Sequence, residues 1–244
     1  RDGLGPLYNA TSCDSCHIRN GRGHAPEPTD ANQVSYLVRL SLRQNSALAN
    51  PSKIPNMPDP RYGGQLQDFA IPGVKAEGQP TVKYQNRTKT FSDGSTIELR
   101  KPTVTVEKLA YGPLSKNTVL SARVAPPLIG LGLLQAIDES HLLALEDIDD
   151  SDGDGVSGKA NQIWNKKQQR YELGRFGWKA GQSHLERQNA IALINDMGLS
   201  SSLFPLQNCI ASQLACREQP VDKQEEVSDK ILQYITYYVG NVAV

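Results

Sequence analysis

A mainly α-helical fold with a β-rich insertion over residues 35–110, α+β overall, is what this sequence predicts. Three observations predict it. A cysteine–histidine motif of helical spacing, "SCDSCHIRNGRG", lies near the start, from Ser12 to Gly23. A run rich in β-branched and aromatic residues fills 80–109, and segments with apolar residues at helical intervals dominate from there to the end.

The bulk numbers fit one large domain over residues 1–244. The chain is 38% hydrophobic and 21% charged, the balance of a globular protein. Lysine plus arginine and aspartate plus glutamate are 26 each, which gives no reason to expect nucleic acid or an anionic membrane as partner. No apolar stretch is long enough to span a bilayer. The chain begins with Arg1, not Met, and carries no signal peptide, so it reads as a processed or truncated piece of a longer precursor.

Along the chain, residues 24–33 read as a polar, proline-bearing loop, and "SYLVRLSLR" from Ser35 as a strand. The prolines of 50–64 make that stretch a loop. "TVKYQNRTKTF", the turn "SDGS" and "TIELRKPTVTVEKL" read as a hairpin, with Asp93-Gly94 at the turn, Val104 and Val106 alternating with Thr103 and Thr105, and Pro102 near a strand start. "SHLLALEDI" takes Ser140 as N-cap. "SHLERQNAIALINDMG" takes Ser183 as N-cap with Glu186 as its capping-box partner and Gly198 as terminator. "SDKILQYITYYVGN" places Ile231, Leu232, Ile235, Tyr238 and Val239 on one apolar stripe.

Cys13, Cys16 and His17 form C-x-x-C-H. Two thiols a helical turn apart can add to the vinyl groups of a haem, and the adjacent imidazole then lies beneath the iron as an axial ligand. A zinc site needs two more ligands, and the remaining cysteines, Cys209 and Cys216, are far along the chain with no histidine beside them. A redox dithiol needs a βαβ setting that is missing here. One covalent haem c is therefore expected, in a cytochrome c-like core, with Tyr8 along the haem edge. Covalent haem attachment takes place outside the bacterial cytoplasm, so a periplasmic or secreted location is expected, and "CIASQLAC" then reads as a Cys209–Cys216 disulfide loop. Met57 and Met197 are candidates for the sixth iron ligand. Arg123 and Arg175 are candidates for pairing with haem propionates.

"DDSDGDGVSGKAN" is the second motif. Counting from Asp150, carboxylates fall at positions 1, 3 and 5 (Asp150, Asp152, Asp154), with Gly155 next and the Val156 carbonyl after it. Asn161 stands where a calcium loop of this type has a bidentate glutamate. A structural Ca2+ is expected, because carboxylates this dense repel one another without a cation.

The stretches "DGLGPLYNATSCDSCHIRNGRG", "YGGQLQDFAIPGV", "RVAPPLIGLGLLQAI", "DDSDGDGVSGKANQIW" and "LGRFGWKAGQSHLERQNAIALINDMG", in that order, resemble the bacterial dihaem oxidoreductases, a family of thiol oxidoreductase- and peroxidase-type proteins distantly related to dihaem cytochrome c peroxidases and MauG-like enzymes. The resemblance implies a haem that exchanges electrons with a second haem domain, a redox protein as donor or acceptor, and Trp178 as a candidate electron relay between haems, as a tryptophan is in MauG-like enzymes. This chain has one C-x-x-C-H, so it is similar to the first-haem portion, without the family's second haem domain. The alternative expectation is a simple electron carrier with no substrate of its own.

Overall fold

The computed structural model describes residues 3–27, 35–43, 56–165, 168–220 and 225–243. Most of the expected 24–33 loop and the first part of the 50–64 loop lie outside these residues. Strands appear as β1 (Leu7–Tyr8), β2 (Tyr36–Leu42), β3 (Phe69–Ala70), β4 (Gln79–Thr90), β5 (Thr96–Glu107), β6 (Thr118–Val124), β7 (Gln162–Asn165) and β8 (Arg170–Leu173). They pair antiparallel in four two-stranded sheets: β1–β3, β2–β6, β4–β5 and β7–β8. Helices are α1 (Cys13–Cys16), α2 (Leu131–Ala136), α3 (Glu139–Leu143), α4 (Leu185–Asp196), α5 (Leu214–Arg217) and α6 (Asp229–Asn241).

The expectation of a mainly α, cytochrome c-like core is overturned: helix makes up 22% and strand 28% of the structure. Two physical reasons account for the error. Four of the six helices are only 4–6 residues long. Strand structure also runs well past residue 110, because Thr118–Val124 pairs with β2 across the whole length of both, from Tyr36↔Val124 to Leu42↔Thr118.

The β4–β5 hairpin forms over its full length, Gln79↔Glu107 to Thr90↔Thr96. Gly94 supplies the positive φ of 82°, and the Asp93 carboxylate accepts the Ser95 N–H. Pro102 is not near a strand start. It lies inside β5 opposite Tyr84, where an isolated two-stranded ribbon tolerates a missing N–H. Val82 at the base joins Tyr36, Val38, Leu40, Tyr62 and Leu66 in a β-sided core.

The second core belongs to α4 and α6. Leu185, Ala190, Leu193 and Ile194 are the buried face of α4, and each leucine or isoleucine there contributes about 1.5–3 kcal/mol. The N-cap of α4 is His184, not Ser183: the Ser183 hydroxyl donates to the buried Glu172 carboxylate at 2.7 Å, and Gln135 accepts the Leu185 N–H at 2.8 Å. Gly198 ends α4 as expected, at φ 69° with the Leu199 N–H returning to the Leu193 carbonyl. The N-cap of α3 is Asp138 rather than Ser140, since its carboxylate accepts the Ser140 N–H. In α6, capped by Ser228, Leu232 and Val239 are buried, whereas Ile231 and Tyr238 are 49% and 54% exposed. The buried stripe is narrower than expected because α2 and α4 cover only one side of the helix. Gly132 of α2 comes so close that a Cβ there would sit 1.9 Å from the Gly240 carbonyl oxygen.

Candidate functional site

The cysteine motif lies where the two cores meet. Ser12 caps α1 by accepting the Ser15 N–H, so Cys13 and Cys16 fall one turn apart, and His17 closes the helix with its N–H on the Cys13 carbonyl. The upstream segment is tied to the end of α4, with the Asn9 and Ala10 N–H groups on the Asp196 carbonyl. Downstream, the Gly23 N–H reaches Ala125 and the Asn20 carbonyl accepts from Leu128. The Asn20 side chain exchanges two hydrogen bonds with the Tyr238 hydroxyl of α6, at 2.8 and 3.0 Å. Arg19 and Asn20 both have positive φ, 53° and 60°, so these remote contacts hold a backbone turn that costs energy.

His17 Nδ1 lies 2.7 Å from the Pro126 carbonyl oxygen. A carbonyl only accepts, so the proton of the neutral ring is on Nδ1 and the lone pair is on Nε2. Burial lowers the imidazole pKa, which keeps the ring neutral as a ligand must be. Protein packed behind the two sulfurs raises both thiol pKa values, with the Asp196 carboxylate adding to the effect, so both are protonated thiols near neutrality. A redox dithiol has the opposite character, a lowered thiol pKa. Among the described residues, no group of three metal-ligating side chains includes these cysteines.

Two protonated thiols, a neutral imidazole with Nε2 available and exposed apolar neighbours are the donor set a tethered haem requires. The neighbours are Ile18, Trp178 and Tyr238, at 41%, 56% and 54% exposure. Trp178 donates its indole N–H to the Val124 carbonyl at 2.8 Å, two residues from the carbonyl that holds His17. Tyr8 stacks on Phe69 at 5.8 Å. The residues present fit a haem.

Behind the cysteines is a polar network that the sequence reading missed. Gln65 donates to Asn9, to the Asn195 carbonyl and to Asp196, at 2.7, 3.0 and 2.8 Å, and accepts from Arg39 at 2.7 Å. Asn9 donates to Asp68 at 2.7 Å. Burial pushes Asp68 and Asp196 up to about 6. Asn and Gln carry no distinctive spacing, so nothing in the sequence marks them.

The other candidates are scattered. Arg123, opposite Leu37 on β6, is half-buried, and burial followed by the nearby Arg39 lowers its pKa. Arg175 places its guanidinium on the Leu134, Gln135 and Ile137 carbonyls at the end of α2. Met197 packs against the α4–α6 core. Met57 is 44% exposed. Cys209 and Cys216 face each other at disulfide distance, with Cα atoms 5.7 Å apart.

In the acidic loop, Asp147, Asp150 and Asp152 bring carboxylate oxygens within 4.8 Å of one another. Asp147 is the addition to the expected set. Asp154 accepts the Val156 N–H at 2.7 Å, and the Asn161 amide donates to the Lys179 and Ala180 carbonyls, both outside that cluster.

The site thus has the donor set of a haem-carrying class of protein, set on an α+β frame of antiparallel strand pairs and short helices. The chain belongs to the di-haem oxidoreductase family: the family model described as "Di-haem oxidoreductase, putative peroxidase" matches residues 1–244. An oxidoreductase role and haem as cofactor come with that membership. No curated protein and no solved structure matches the chain. Among the described residues, no helix is long and apolar enough to cross a membrane.

Proposed function

We propose that this chain is the haem c-binding portion of a periplasmic dihaem oxidoreductase, passing electrons between its own covalently held haem and a second haem domain or a redox protein. Cys13 and Cys16 tether the porphyrin, and His17 offers Nε2 to the iron. The observation that carries the reading is the His17 Nδ1–Pro126 hydrogen bond, which fixes both the tautomer and the ring orientation. The haem supplies a reversible one-electron Fe(III)/Fe(II) couple. Where peroxide is the oxidant, two electrons and two protons convert it to two waters, so a pair of haems matches the stoichiometry.

The packing of Met197 in the helical core favours an iron without that methionine, which leaves Met57 as the methionine the simple-carrier reading requires. Trp178, whose indole is anchored on the Val124 carbonyl beside the His17 mount, is the electron relay in this reading. Arg123 is the better placed of the two arginines for a propionate, because the guanidinium of Arg175 is engaged by α2. A Ca2+ held by Asp147, Asp150 and Asp152 and a Cys209–Cys216 disulfide complete the reading, the latter in keeping with an oxidising compartment.

The test is a pair of visible spectra, ferric and dithionite-reduced, with a pyridine haemochrome assay. A c-type haemochrome with a high-spin ferric spectrum that shifts on adding cyanide supports the enzyme reading. A low-spin methionine-type spectrum transfers the reading to the carrier, and the lack of any c-type band removes both.

A further inference from the structure

Along the β4–β5 hairpin the apolar side changes face. In the inner half, Val82, Tyr84, Val104 and Val106 point to the β core. In the outer half the register places Ile97 opposite Lys89 and Leu99 opposite Arg87, on the face away from that core. These apolar side chains are 45% and 49% exposed, and Phe91, in phase with them at the turn, is 52% exposed. Burial in this chain's core does not account for them.

The same outer face carries Lys83, Arg87, Lys89 and Lys101, all exposed. None of the four has an ion-pair partner among the described residues. Of the hairpin's acids, Glu98 is on the inner face and bonds Thr88, Asp93 is engaged by the turn, and Glu107 shares the outer face only at its base, opposite Gln79 and four registers from Lys83. In a chain of zero net charge, four unpaired cations around three exposed apolar groups are a local segregation of charge. The inner face is fastened to the segment that follows the cysteine motif: the Tyr84 hydroxyl donates to the Pro26 carbonyl at 2.8 Å, and Arg100 pairs with Glu27 at 3.1 Å. Both of these contacts are on the face opposite the four cations.

We propose that the outer face of the β4–β5 hairpin docks an acidic electron-transfer protein, with Lys83, Arg87, Lys89 and Lys101 matching its carboxylates and Phe91, Ile97 and Leu99 forming the dry centre of the contact. The proposal rests on the electron-transfer role given above. The cations beside the apolar patch steer the encounter, and a dry apolar centre with charge at its margin resembles the anatomy of protein interfaces.

The experiment uses the whole haem-loaded chain with two probes, an acidic and a basic c-type cytochrome. Electron exchange is followed by stopped flow at low and high salt, and binding by surface plasmon resonance, which needs no haem. The acidic probe is expected to react faster at low salt. In the K83E/R87E/K89E/K101E variant its rate and affinity fall by about tenfold or more, while the basic probe gains. The milder K83Q/R87Q/K89Q/K101Q variant, checked by circular dichroism, shows the smaller loss. Unchanged binding of the acidic probe in both variants overturns the proposal. Binding to phosphatidylglycerol vesicles without binding to the acidic probe also overturns it, in favour of a lipid surface. Normal charge-dependent binding with no electron exchange leaves the docking face standing and sinks the redox role.

Discussion

The cysteine motif and the acidic loop are both short, contiguous signatures, yet the fold holds them by different means. The motif is fixed by contacts from far along the chain: His17 to Pro126 over 109 residues, and Asn20 to Tyr238 over 218. The carboxylates of the acidic loop make mostly local bonds, Asp147 to Ser151 and Asp150 to Gly155, four and five residues apart. A motif held from a distance reports on the whole fold, whereas a locally closed loop owes its shape to its own residues. The Cys209–Cys216 loop combines the two, because Gln213 inside it donates to the buried Glu77 side chain, 136 residues away.

The strongest way to break the comparison is Cys13→Ala with Cys16→Ala. All covalent haem should vanish from a denaturing gel while far-ultraviolet circular dichroism stays unchanged. Haem stain that survives denaturation would contradict it.

Next is pH. Burial raises Glu77 from 4.5 to about 8, so the folded state binds the proton more tightly than the unfolded state does. The stability that Glu77 contributes is then fullest below about 4.5 and is lost as pH rises to about 8. Asp68 and Asp196 act in the same direction, between 3.8 and about 6. Glu77→Gln removes the titrating group and should flatten the fall between pH 6 and 8 in urea melts, while its amide NH2 gives up one of the two acceptor positions that Gln67 and Gln213 use. A variant whose profile still falls over that range would remove the remote anchor from the disulfide loop.

Gly23→Ala tests the remote hold on the motif itself. Its Cβ would lie 2.5 Å from the Ser35 Cβ and 2.9 Å from the Cys16 carbonyl. A loss of about 1–3 kcal/mol, with reduced haem attachment, is expected. For the acidic loop, calcium should raise the thermal midpoint of the native chain. Asp150→Asn should abolish that rise, and Asp154→Asn should leave most of it. Equal loss in both would restore the ligand set read from spacing. Tyr238→Phe, which gives up only exposed hydrogen bonds, should cost about 1 kcal/mol or less.

These contrasts explain what was legible. Cys13, Cys16 and His17 could be read because their chemistry is contiguous. The hairpin could be read because its turn residues and alternation are local. The β2–β6 pairing could not, since "TVLSARV" does not name a partner some 80 residues upstream. Nor could Pro126, which contributes a backbone carbonyl that any residue possesses. Asp147 was half-visible as one acid more at the front of the acidic run. The boundary between Ser183 and His184 was decided by Glu172, a buried carboxylate that competes for the serine hydroxyl.

The stretch at and just past the end of β6 has a mechanical consequence. Val124 and Pro126 lend their carbonyls to the Trp178 indole and the His17 imidazole respectively. The two rings thus hang from one short stretch of backbone, like two lenses on one rail, so that a shift of the stretch is passed to both.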